Sequence, residues 1–484
     1  MLERSAKART YIPLEWPGAL FEYQLDGVEA LLSRDALLLA DDMGLGKTVQ
    51  AAAALRILTL QRKIEVTLLI VPAGLVAQWR RALRLWAPEL RVSTVRGPEA
   101  DRSWQWATTA DVYLTSYETL RADFTENAHS PPRRRTWDVV ILDEAQKIKN
   151  PEAEVSRKCK QLLRRRAWAL TGTPLENRLE DLASILEFVV PLAVNGEQMR
   201  LFPGRALLER HRATQLRRRK LEVMPQLPPK LVSDIRLNLT GAQRRSYERA
   251  EREGIFHLRE LGASVQIQHV LELILRLKQI CNFCPESGQS AKISDLRERV
   301  STLVVEGHRA LVFSQFTDGI HGVRAIASEL AAQAPLAYTG SLTSEQRDAL
   351  IREFKEYQEH KVLILSLRAG GQGLNLQEAS YVFHFDRWWN PAVEHQAEDR
   401  SHRLGQSVPV NVYRYTCEGT IEERIDAILR GKQRLFDEIV DDVSLDLLSA
   451  LTREELFGLF GLAPPDGTRD SARSVRVHTS EPAR

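Results

Sequence analysis

Cysteine is scarce, with four in 484 residues. So few describe a reducing compartment and exclude a disulfide scaffold. Cys281 and Cys284 form a single C-x-x-C, and a tetrahedral zinc site needs two more ligands. Cys159 and Cys417 are remote in sequence and no paired histidines stand nearby, so free thiols are the expectation. Long apolar runs are missing as well. None reaches the roughly 18 residues of a membrane span, and the opening MLERSAKART lacks the apolar core of a signal peptide. These absences point to a soluble, cytoplasmic protein with no membrane partner. Net charge is small too: 67 Lys and Arg against 64 Asp and Glu leave +3, too little to argue for nucleic acid. The short basic runs Arg133-Arg134-Arg135, Arg164-Arg165-Arg166 and Arg217-Arg218-Arg219-Lys220 read first as solvated faces. Short-period repeats and low-complexity tracts are absent.

What is present suits a globular chain of two or three domains, with 43% hydrophobic and 27% charged residues. From about Ala19 to Pro191, short apolar runs alternate with helix-like segments. Examples are Val66-Thr67-Leu68-Leu69-Ile70-Val71 and Val139-Val140-Ile141-Leu142. Such strands predict a parallel sheet covered on both faces. The pattern returns after Gly307, in Ala310-Leu311-Val312-Phe313 and Lys361-Val362-Leu363-Ile364-Leu365. Between them strand signals fade and helix-favouring stretches take over, as in 266–280, where Val270, Leu273, Ile274 and Leu277 recur at helical spacing. The expected division is an α/β lobe over 1–195, a helical insertion over 196–290, a second α/β lobe over 291–463 and a disordered tail over 464–484.

Asp41-Asp42-Met43-Gly44-Leu45-Gly46-Lys47-Thr48 follows an apolar strand and opens a helix, the context of a phosphate-binding loop. Glycines let backbone amides turn inward and the helix N-terminus favours an anion. Lys47 is placed to reach phosphate oxygens and Thr48 a Mg²⁺ ion. Asp143 and Glu144 end a buried strand, where open parallel sheets bind ligands. Two adjacent carboxylates there are costly to desolvate without a cation. Asp143 is the candidate metal ligand and Glu144 the residue that activates water. In 396–406, Arg400 and Arg403 stand three apart, a spacing that puts both on one face of a helix and suits charge stabilisation at a γ-phosphate.

Read in order, these segments resemble the Swi2/Snf2 branch of helicase superfamily 2. Phe21 to Val28 resembles its Q element, Asp41 to Thr48 motif I, Val71 to Trp79 motif Ia, and Leu114-Thr115-Ser116-Tyr117 the next DNA-facing element. Asp143 to Gln146 matches motif II and Leu170-Thr171-Gly172-Thr173-Pro174 motif III. Val312 to Phe316, Arg368 to Leu376 and Gln396 to Gln406 resemble motifs IV, V and VI. Leu216-Arg217-Arg218-Arg219-Lys220 followed by Leu227-Pro228-Pro229-Lys230, and Arg387-Trp388-Trp389-Asn390-Pro391, are further features of that branch.

The resemblance implies two RecA-like lobes closing on ATP with Mg²⁺. Gln24 would read adenine, and Met43, Gly44, Leu45, Gly46, Lys47 and Thr48 would hold the phosphates. Thr48 and Asp143 would hold the metal, Gly373 would line the cleft, and Gln396, Arg400 and Arg403 would complete it. Thr171 and Thr173 would couple the cleft to DNA. Pro72, Thr115, Ser116, Ser314 and Arg368 would meet sugar–phosphate rather than bases. Trp79 and Tyr117 read as core. The expected activity is that of a monomeric, sequence-independent translocase on double-stranded DNA that remodels protein–DNA complexes. Its alternatives are a strand-separating helicase and an ATP-gated clamp in a larger assembly.

Overall fold

The computed structural model describes residues 15–124, 131–172, 179–194, 197–199, 205–367, 374–388, 391–403, 405–439 and 452–464. Among the described residues, nine strands precede residue 220: β1 (Ala36–Leu39), β2 (Thr67–Val71), β3 (Val92–Val95), β4 (Val112–Ser116), β5 (Trp137–Asp143), β6 (Arg164–Leu170), β7 (Leu192–Val194), β8 (Glu197–Met199) and β9 (Gln215–Leu216). Seven make one sheet in the order β3-β4-β2-β5-β6-β1-β9, and every pairing in it is parallel. β7 and β8 form a small antiparallel hairpin.

The continuous apolar runs are explained by burial on both faces. Leu38, Leu68, Ile70, Val140 and Leu142 pack into one core, while Leu37, Leu39, Leu69, Val71, Val139 and Ile141 pack into the other. Each such side chain, fully buried, contributes about 1.5–3 kcal/mol. The helix Lys47–Leu60 lies in the second core, and its run Ala51 to Ala54 is wholly buried. Alanine suits that place twice over: it favours helix, and it lets the helix approach the sheet closely.

Among the described residues the second lobe has six parallel strands: β10 (Lys230–Leu237), β11 (Ala310–Ser314), β12 (Leu336–Tyr338), β13 (Val362–Ser366), β14 (Tyr381–His384) and β15 (Val410–Cys417). Their order is β10-β15-β14-β11-β13-β12. Again two cores flank the sheet, one holding Val312, Ile364 and Phe383, the other Leu311, Phe313, Leu363 and Leu365.

The separate helical insertion expected over 196–290 is instead shared between the lobes. β9 extends the first sheet beside β1, and β10 forms an edge of the second beside β15. The helices Gly241–Glu260 and Ile267–Asn282 pack in one core with Ile421, Ile425, Leu429 and Phe457 from the end of the second lobe. β10 escapes a strand reading because it is an edge: Leu231 and Val232 are exposed and the run is mixed rather than apolar.

Cys159, Cys281, Cys284 and Cys417 are free and buried. Among the described residues no helix is long and apolar enough to cross a membrane. The expected tail beyond 464, with Thr173, Arg368 and Gly373, lies outside the described residues.

Candidate functional site

The loop between β1 and the helix Lys47–Leu60 turns through Gly44 (φ +86°) and Gly46 (φ +79°), left-handed positions that favour glycine. Gln24 is buried beneath this loop: its Nε2 donates to the Leu45 carbonyl at 3.2 Å, and its Oε1 accepts from the Phe21 amide at 3.1 Å. Met43 is buried and Thr48 half-buried.

Lys47 Nζ donates to the carbonyls of Asp41 (2.6 Å) and Asp42 (3.2 Å). Burial pulls this ammonium below an ordinary lysine pKa, while Asp41, Glu144, Asp143 and Asp42 pull it back. Gly172 makes room for it: a Cβ there would lie 2.4 Å from Met43 Cγ and 3.0 Å from Lys47 Nζ. Sequence reading named the motif but assigned this glycine no part.

Asp41 has an explanation in the basic run. Arg218 grips it with two bonds, Nε to Oδ1 at 2.9 Å and Nη2 to Oδ2 at 2.5 Å, and also donates to the Tyr23 carbonyl. Gln50 joins the set, donating to Asp41 Oδ2 at 3.2 Å and accepting from Arg218 at 3.0 Å. Arg218 is therefore no solvated face. It is an anchor for the strand-to-loop turn.

Asp143 and Glu144 stand where β5 ends. Trp79 Nε1 donates to Asp143 Oδ2 at 2.6 Å and the Tyr117 hydroxyl donates to the Asp143 carbonyl at 2.8 Å. Both aromatics are buried as expected, yet each also positions the aspartate. Burial, then the neighbouring Glu144, push the Asp143 carboxyl up to about 7, against the Trp79 bond and Lys47. An acidic pair this poorly compensated fits a divalent cation. Glu144 has φ +50°, uncommon for a residue with a side chain. Its Oε2 accepts from Gln146 Nε2 at 2.7 Å, and Gln146 Oε1 accepts from the Thr171 hydroxyl at 3.0 Å. A chain of contacts thus runs from motif III to the candidate base.

The second lobe closes on this group. The helix Pro391–Glu398, which carries Gln396, ends before the two arginines, so Arg400 and Arg403 sit on the turn after it and not on one helical face. Arg400 is buried. Burial lowers its pKa, while Glu144, Asp399 and Asp143 act in the opposite sense. Arg403 is pushed down to about 10 by burial and then by Arg400. A Cβ on Gly44 would meet Arg403 Cβ at 2.9 Å, so the arginine turn rests on the phosphate loop.

The residues expected to meet nucleic acid also have partners within the protein. Thr115 is buried and donates to the Val95 carbonyl at 3.2 Å. Ser116 caps a helix, accepting from the Thr119 amide at 3.1 Å. Ser314 is buried and donates to Asp386 Oδ2 at 2.5 Å. Pro72 is buried, with Ala73 and Gly74 exposed beside it. At the ends of strands covered on both faces, small polar side chains are spent on internal caps.

A family description of an SNF2-related domain matches residues 23–285, and one of a helicase conserved C-terminal domain matches 291–405. The chain belongs to the SNF2-related family. Among its relatives is a Bacillus subtilis protein, YwqA, named an ATP-dependent helicase/translocase, 36% identical over 92% of this chain and 51% of the relative. A Mycoplasma pneumoniae ATP-dependent helicase is 32% identical over 91% of this chain and 44% of its own. This SNF2-related chain spans about half the length of these curated relatives. The SWI2/SNF2 ATPase core of Sulfolobus solfataricus in complex with dsDNA is 28% identical, with 94% of this chain and 100% of that chain covered and a TM-score of 0.40.

Proposed function

We propose that this chain hydrolyses ATP between its lobes and uses the cycle to move along double-stranded DNA. The observation that carries the reading is the seating of the turn with Arg400 and Arg403 of one lobe on the glycine loop of the other that opens into Lys47.

The loop amides and Lys47 would bind the phosphates, Lys47 exchanging its two carbonyls for them. Thr48 and Asp143 would hold Mg²⁺, which when bound neutralises phosphate charge. Water attacks the γ-phosphorus and the bond to the β–γ bridging oxygen breaks. ADP leaves with that electron pair, and Glu144 takes the proton of the water. Arg400 and Arg403 meet the charge that develops in transfer. Because they belong to the second lobe, chemistry waits for closure.

Movement on duplex DNA rests on relatives named for helicase and translocase activity and on the exposed small residues Ala73 and Gly74, which would let a phosphate approach the chain. A triplex-displacement assay tests it: ATP should release a third strand, while a forked duplex under the same conditions stays intact. Unwinding of the fork favours a strand-separating helicase. ATPase without triplex release favours a clamp.

A further inference from the structure

Lys220 lies at the end of the basic run, in a segment that belongs to the first lobe. The Ala40 amide donates to the Leu216 carbonyl at 2.8 Å and the Asp42 amide to the Arg218 carbonyl at 3.0 Å, so the segment runs along the phosphate loop. The Lys220 amide in turn donates to Asp42 Oδ2 at 3.0 Å. Its side chain leaves in the other direction. Lys220 is 6% exposed, and its Nζ meets Asp399 Oδ1 at 2.8 Å and the His402 carbonyl at 2.8 Å.

Asp399 precedes Arg400 in sequence, and His402 precedes Arg403. One ammonium therefore fastens both ends of the short turn that carries the two arginines. The stem passes close to the phosphate loop as well, with Cε 3.4 Å from where a Gly44 Cβ would stand. His402 Nε2 adds a contact to the Pro228 carbonyl at 2.8 Å, from the connector that follows Lys220 in the chain.

We propose that Lys220 is a positioning residue for hydrolysis. Its backbone senses the phosphate loop through Asp42, and its ammonium sets the register of Arg400 and Arg403 when the lobes close. The proposal rests on the ATPase reading above, and it concerns a contact that crosses between lobes.

The test compares wild type with Lys220→Met, which keeps the stem and removes the charge, and with Asp399→Asn. Misplacing the arginine turn lowers kcat by about 10²-fold in Lys220→Met, the scale of a loss of alignment near a reacting group. KM for ATP shifts by less than about 3-fold, because the arginines that the contact aligns act on charge that develops in the transition state. Affinity for ADP with aluminium fluoride falls with kcat, while affinity for a fluorescent non-hydrolysable ATP analogue stays near wild type. Asp399→Asn shifts the same quantities in the same direction, and the double variant is no worse than Lys220→Met alone.

Lys220→Met at wild-type kcat and wild-type affinity for the aluminium fluoride complex overturns the assignment, as do fully additive effects in the double variant. Should Lys220→Met unfold, Asp399→Asn decides: unchanged kcat there overturns it too. A wild-type protein with no ATPase sinks the function reading itself. Active wild type beside an unaffected variant sinks only the part given to Lys220.

Discussion

Glu144 and Lys278 illustrate how single side chains bear on chemistry and on stability. Glu144 sits at a left-handed φ with one carboxylate oxygen held by Gln146. Glu144→Gln keeps the shape and removes the base, so single-turnover hydrolysis should slow at least about 10²-fold. ATP binding with Mg²⁺ should survive, and an unchanged rate would move the base elsewhere. Lys278 and Lys292 are both buried, yet they titrate in opposite directions. Burial pulls Lys292 down, but Glu422 at 2.6 Å and nearby anions override it and raise its pKa. Lys278 donates to the Arg387 carbonyl at 2.7 Å, and burial outweighs Asp386 and Glu422 to bring it down to about 8. Between about 8 and the unfolded value of 10.5 the unfolded chain keeps a proton that the folded one has released. Stability contributed through Lys278 therefore rises with pH across that window, and the full cost of the buried charge is felt below it. In urea titrations at successive pH values, any stability advantage of Lys278→Met over wild type should shrink as pH climbs. A constant difference would show that the lysine stays charged.

Helix Glu22–Ser33 carries a glycine at its centre, a residue that ordinarily costs a helix about 0.5–1 kcal/mol relative to alanine. Its reason is the neighbouring helix. A Cβ on Gly27 would lie 1.8 Å from Gln50 Oε1 and 2.8 Å from Arg218 Nη2, inside the set that grips Asp41. Gly27→Ala should therefore lower the melting temperature and raise KM for ATP, by about 1–3 kcal/mol of overpacking. Helix propensity alone gives the opposite sign, and a higher melting temperature would bear that out instead. Such elements also mark what a sequence discloses. Runs like Leu68 to Val71 and Val139 to Leu142 announce strands because both of their faces are dry, and the loop from Asp41 to Thr48 announces itself by glycine spacing. The partners of Asp41 do not, because Arg218 comes to it from 177 residues away. The turn that holds Arg400 and Arg403 was likewise hidden, since their spacing of three fits a helix that in fact stops at Glu398.

At the scale of the whole molecule, two sheets with their own cores meet along a face where charged groups from each interleave. The two-lobe plan was legible, because each sheet repeats the same apolar rhythm. The division of the middle segment was not, because β9 is two residues long and β10 is a half-wet edge. The net charge of +3 leaves duplex binding to local groups and backbone, so affinity should track phosphates and ignore sequence. Raising salt from about 50 to 200 mM should weaken duplex binding by at least about 10³-fold if six or more phosphates are neutralised. Equal binding at both concentrations would remove the electrostatic account. The lobes themselves are joined by very little chain. Met224 is buried against Tyr23 and Leu45 of the first lobe, and Lys230 opens β10 of the second. The stretch from one to the other contains Pro225, Pro228 and Pro229 and reaches at most about 21 Å when drawn out. On so short and stiff a leash each lobe meets the other at an effective concentration in the millimolar range. Closure is then a unimolecular swing whose frequency is indifferent to dilution, and one isolated copy on a long duplex should step as often as many.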